Sequence, residues 1–200
     1  MLENTFKKAA IPVALISLGI AVTAVGQGTT SAPKAADTPA SKTAGASKLA
    51  APDRTFVEKA AKGGMAEVEL GKMAQQRAAD AQVKQFGERM VTDHSKANDE
   101  LKSIATAKGV NLPTSPGKEH EQMSQKLQRL QGPAFDREYM KHMVTDHKKD
   151  VADFQKEAKS GKDNDVKQFA SKTLPTLEDH LKMAQQVEQA TKSAKGTSGK

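Results

Sequence analysis

Two hundred residues with a formal charge of +7, no cysteine and no tryptophan set the bounds on this chain. Without cysteine there is no disulfide, no thiol nucleophile, no thiolate metal site and no lipid-bearing N-terminal cysteine. The basic excess does not mark a nucleic-acid reader, because residues 1–52 and 192–200 each carry a net +3 and residues 53–191 only +1, so no folded face gathers lysine, arginine and stacking aromatics.

Lys7 and Lys8 precede an uncharged run from Ala9 to Val25. A positive segment followed by an apolar one reads as a signal peptide over residues 1–26. Val22-Thr23-Ala24 and Ala24-Val25-Gly26 both offer small residues for cleavage. An uncleaved anchor is the alternative, but the run falls short of the roughly 20 residues of a span and contains Pro12. Membrane contact is expected only in that case, and either way the remainder lies outside the cytoplasm, periplasmic or otherwise exported. Residues 27–52 and 192–200 hold almost no large apolar side chain. They read as a disordered linker and a disordered basic tail, unable to offset the entropy of ordering.

Residues 53–191 carry the signals of four long helices. The first starts at Pro52-Asp53, with Asp53 as cap, and runs to Ala79. Asp80 caps the second, which stops at Gly109. After a loop from Val110 to Gly117, a short helix covers Lys118 to Leu130, with Ser115-Pro116 as its start signal. Gly132-Pro133 opens the third long helix, which ends near Gly161. Asp163 or Asp165 caps the fourth, which reaches Thr191 and should kink at Pro175. Segments of 27–30 residues joined by short turns predict an all-α fold. The architecture is an antiparallel, ferritin-like four-helix bundle with an extra short helix between helices two and three.

At 100° per residue each long segment shows an apolar stripe. The stripes run through Phe56, Leu70 and Ala74, then Val83, Phe86, Met90 and Leu101. They continue through Tyr139, Met143 and Phe154, then Val166, Phe169, Leu177 and Ala184. Each stripe is interrupted near mid-helix by an ionisable residue: Glu67, His94, His147 with Asp150, and His180. In an antiparallel bundle such positions converge, which predicts a central polar layer of Glu67, His94, His147, Asp150 and His180. Asp93 falls on the edge of its stripe. His120 and His142 fall off the layer and read as surface residues.

Met90-Val91-Thr92-Asp93-His94 recurs as Met143-Val144-Thr145-Asp146-His147, and Val83-Lys84-Gln85-Phe86 recurs as Val166-Lys167-Gln168-Phe169. The echoes suggest duplicated helical hairpins. Together with Glu67-Val68-Glu69-Leu70-Gly71, Gly132-Pro133-Ala134-Phe135-Asp136 and the stretch from Phe169 to Leu181, they resemble the secreted bacterial family known as domain of unknown function 4142, within the ferritin-like superfamily. The resemblance implies a signal peptide, an exported four-helix domain and no assigned activity, and it supplies no catalytic residue. The chain departs from the di-iron pattern, which needs a Glu from each of two helices and Glu-x-x-His from the other two. Here the second helix has Asp93-His94 and the third has His147-x-x-Asp150.

Two functional readings follow. In one, the layer is structural and fixes helix register, and the protein is a non-catalytic binding or stress-related module. In the other, Glu67, His94, His147, Asp150 and His180 hold a transition metal, Fe, Zn or Cu, with metal-dependent oxidoreductase chemistry as its extension. No Gly-rich phosphate loop or Gly-x-Ser-x-Gly elbow points to another enzyme class, and neither ligand nor partner is named by any motif.

Overall fold

The structure, a computed structural model, describes residues 48–193. The segment read as a signal peptide, most of that read as a linker and most of that read as a basic tail lie outside the described residues. Five helices are present: α1 (Ala51–Arg77), α2 (Ala81–Ala107), α3 (Lys118–Gln128), α4 (Gly132–Ser160) and α5 (Asn164–Ser193). No strand occurs among the described residues.

Helices α1 and α2 form one hairpin, and α4 and α5 form the other. The start of α1 lies against the end of α4, where Asp53 accepts hydrogen bonds from the backbone N–H groups of Lys162 and Asp163. The end of α1 lies against the start of α4, where Asp136 accepts from Ala79 and Asp80. Lys108 at the end of α2 meets Asp163 and Asp165 at the start of α5. All adjacent long helices are therefore antiparallel, while α2 and α4 run in the same direction. That arrangement obliges residues 109–131 to travel the length of the bundle, and α3 lies on this crossover, as ferritin-like topology requires.

The caps explain most boundaries. Asp80 accepts from the N–H of Gln82 and Asp163 from those of Asp165 and Val166, so each starts a helix as expected. Gly109, at φ 67°, closes α2, with its own N–H on Thr106 and that of Val110 on Ala105, a paired closure that needs a left-handed residue. Three expectations require correction. Asp53 does not cap its own helix: α1 begins two residues earlier, at Ala51, with no side-chain cap. Asp53 is instead fully buried and clasps the α4–α5 turn. Ser115-Pro116 does not start α3; the residue before Lys118 is Gly117 at φ 88°. Leu49, placed with the linker, is buried in the core beside Phe56 and Val57. Pro175 stands on the exposed side of an α5 that is helical from Asn164 to Ser193, where water can satisfy the carbonyl left without a donor.

The core divides along the bundle axis into two apolar clusters. One gathers Leu70, Phe86, Met90, Phe135, Tyr139 and Met143, the other Phe56, Val57, Leu101, Phe154, Phe169 and Leu177. The polar layer lies between them. Helices α1 and α2 touch backbone to backbone at Gly71 and Gly87: a Cβ on either would come within 2.6–2.7 Å of the other's carbonyl oxygen.

The two hairpins are pseudo-repeats. A constant spacing of 83 residues relates Asp53 to Asp136, Phe56 to Tyr139, Asp80 to Asp163, Val83 to Val166 and Phe86 to Phe169. The Val-Lys-Gln-Phe echo belongs to this duplication. The Met-Val-Thr-Asp-His echo does not, because it pairs the second helix of one hairpin with the first helix of the other.

Candidate metal centre

Each long helix delivers one residue to the mid-bundle layer. Glu67 comes from α1, His94 from α2, His147 from α4 and His180 from α5, with relative exposures of 1, 6, 0 and 0 %. The three imidazole centroids are 5.3–5.8 Å apart. One nitrogen of each ring lies within 4.8 Å of one from each of the others.

Three of the ring contacts end on oxygen acceptors, so the nitrogen in each of those carries a proton. His94 Nδ1 donates to Glu67 Oε2 at 2.9 Å. His147 Nδ1 donates to the Met143 carbonyl at 3.0 Å. It also lies 3.3 Å from Glu67 Oε1, but that oxygen receives no hydrogen bond because the N–H is aimed at the carbonyl. His180 Nε2 donates to Asp93 Oδ2 at 2.9 Å. In the neutral rings the other nitrogens carry lone pairs: His94 Nε2, His147 Nε2 and His180 Nδ1. His94 Nε2 is buried with no partner. His147 Nε2 and His180 Nδ1 face each other at 3.4 Å.

Electrostatics sorts the charges. Burial alone would raise the Glu67 carboxyl. The facing imidazoles of His94 and His147, with the hydrogen bond from His94, outweigh it and lower the group to about 2. Burial works against a charged His94, yet the Glu67 carboxylate raises its pKa. Burial and the neighbouring imidazoles pull His180 down to about 4, against the hydrogen bond to Asp93, so this ring is neutral at neutral pH.

Of the five residues read as the layer, Glu67, His94, His147 and His180 come together. Asp150 does not join the histidines. It groups with Glu67 and Asp146, ligand atoms within 4.8 Å, and is half-buried. Burial and the charges of Glu67 and Asp146 push its carboxyl well above the usual range. Asp150 stands 83 residues after Glu67 and is its pseudo-symmetric counterpart, turned to a different environment. Asp93, left on the stripe edge, is the residue that holds His180. The reading of His120 and His142 as surface residues also needs correction: both are half-buried and cluster with Asp146. The i, i+4 spacing of His142 and Asp146 was visible in the sequence. The position of His120 was not, because it depends on where the crossover lays α3.

Among the described residues no helix is long and apolar enough to cross a membrane. A family model described as "Domain of unknown function (DUF4142)" matches residues 38–187, and the chain belongs to that family. No curated protein matches it in sequence. Two solved structures share the fold. One is a DUF305 fragment from Deinococcus radiodurans, at 13% identity and a TM-score of 0.63, covering 71% of this chain and 98% of that one. The other is CopM in its Cu(II)-bound form, at 18% identity and a TM-score of 0.60, covering 69% and 96%.

Proposed function

We propose that this member of the domain of unknown function 4142 family is an exported, non-catalytic metal-binding bundle. His94 Nε2, His147 Nε2 and His180 Nδ1 would hold one Zn(II) or Cu(II) ion. The observation that carries this reading is the pairing of every imidazole. One nitrogen is anchored to an acceptor, and the other, which carries a lone pair whenever the ring is neutral, faces a shared, buried space. Metal-bound histidines are held this way, their second N–H donated to a carboxylate or a backbone carbonyl that fixes tautomer and ring. The 3.4 Å between His147 Nε2 and His180 Nδ1 is close to the separation of about 3.3 Å between tetrahedral ligands about 2.0–2.1 Å from zinc. A layer that served register alone would leave His94 Nε2 orphaned for no return, since buried polar atoms are normally paired.

The donor set narrows the metal. Neutral imidazoles suit Zn(II) and Cu(II), whereas Ca(II) and Mg(II) require oxygen. Fe fits poorly, since the Glu and Glu-x-x-His set of a di-iron bundle is absent. A structural neighbour bound to Cu(II) agrees with this choice, although at that identity it speaks to fold. Near-complete burial of the three rings leaves no room at the layer for a substrate, which favours holding a metal over chemistry upon one. Export rests on the signal-peptide reading of residues 1–26.

The test uses tag-free, metal-free protein. Added Zn(II) or Cu(II) is expected to raise the melting temperature, and His147→Ala to remove most of that rise relative to its own apo form. If neither metal shifts the native protein, or if His147→Ala keeps the full native shift, the layer serves only packing and register.

A further inference from the structure

A second cluster of ligand-type side chains lies outside the histidine layer. On α4, His142 and Asp146 are one turn apart and share a helix face. The crossover brings α3 over that face, and His120 with it. One ligand atom from each of the three lies within 4.8 Å of the others. His142 Nε2 is buried and makes no hydrogen bond. Asp146 is 9% exposed and, among the described residues, has no hydrogen bond or ion pair to a lysine or arginine that would occupy its carboxylate. A cleft of about 440 Å³ runs along this surface, with His120, Asp146 and Asp150 in its wall.

We propose that His120, His142 and Asp146 form a second transition-metal site, taking one divalent ion such as Zn(II) or Cu(II). Two imidazoles and one carboxylate from two elements match the three-ligand sets that leave a position for water or an incoming group. The cleft supplies access to that position, so an ion here exchanges with solvent, in contrast to one in the closed layer. Imidazole donors exclude Ca(II) and Mg(II) as the preferred ion. The site needs no metal in the layer, and its ligands are distinct from the three layer histidines.

The experiment is a calorimetric titration of the full, tag-free, metal-free chain with Zn(II) alone. It compares the native protein with His120→Ala, His142→Ala and His147→Ala, each checked for helicity by circular dichroism. His120→Ala and His142→Ala are each expected to remove one equivalent of zinc that His147→Ala retains. His120 is half-exposed, so its variant decides the matter if His142→Ala is poorly folded. Native-like zinc uptake by a folded His120→Ala overturns the second site, as does a native chain that binds no zinc. Loss of zinc in His147→Ala alone leaves the layer standing and removes this site. Loss in His120→Ala alone does the reverse.

Discussion

Each histidine of the layer has two nitrogens with different tasks, and the anchoring acceptors matter as much as the rings. Asp93 shows this best. Its carboxylate is a quarter exposed, shared between Arg89 and His180, and it touches neither of the other imidazoles by hydrogen bond. Asp93→Ala would free His180 to rotate and to change tautomer. The expected result is a 10–100-fold loss of zinc or copper affinity, the usual cost of removing such a partner, measured by competition with a chelator of known strength. Asp93 is partly solvated but the His180 N–H it accepts from is fully buried, so folding stability should fall by about 1–3 kcal/mol. Unchanged affinity would mean that His180 does not need its anchor. Residue-level periodicity placed Glu67, His94, His147 and His180 on inner faces, because inward direction follows from helix pitch alone. It could not separate Asp150 from them, since both sides of that distinction share the same stripe.

At the scale of elements, the hairpins are held at their ends by side chains borrowed from each other. Asp53 accepts three backbone contacts from Lys162 and Asp163, and its counterpart Asp136 accepts from Ala79 and Asp80. Local rules assign an aspartate after Pro52 to its own helix, and only the docking of the second hairpin makes the α4–α5 turn the better partner. Asp163 works locally, capping α5 while pairing with Lys108. Burial opposes its charge, but the Lys108 hydrogen bond and the backbone N–H groups lower its pKa. A lowered folded pKa stabilises above the unfolded value of about 3.9 and is lost as pH falls through the folded one. Asp163→Ala should therefore cost about 1 kcal/mol at pH 7. The difference should shrink below about pH 4, which urea midpoints at pH 7 and pH 3 would show. The glycine contact between α1 and α2 is less forgiving. Gly71→Ala would drive a methyl into the Gly87 carbonyl, part the two helices and cost about 1–3 kcal/mol. A variant as stable as the native protein would show that the hairpin can relax there.

Over the whole molecule, the proposed ion would tie α2, α4 and α5 directly and α1 through Glu67, so its binding would be felt as global stability. At a free metal concentration about 100 times the dissociation constant the gain is about 2.7 kcal/mol. For a domain of about 150 residues that corresponds to a rise of about 5–10 °C in melting temperature, the magnitude expected in the test of the layer. The chain's own order determined the helices, their caps at Asp80 and Gly109 and at Asp163 or Asp165, the inward stripes and the mid-helix height of the four layer residues. All of these depend on pitch, spacing and local hydrogen bonding. The extra short helix was also read in the crossover, though from Ser115-Pro116, a start signal that the structure does not use. Tertiary structure decided the rest: that Asp53 and Asp136 serve distant turns, that Asp93 rather than Asp150 completes the histidine layer, and that His120 arrives beside His142 and Asp146. Those outcomes depend on which helix faces meet and at what register, and a contact between residues far apart in the chain leaves no mark in the periodicity of either.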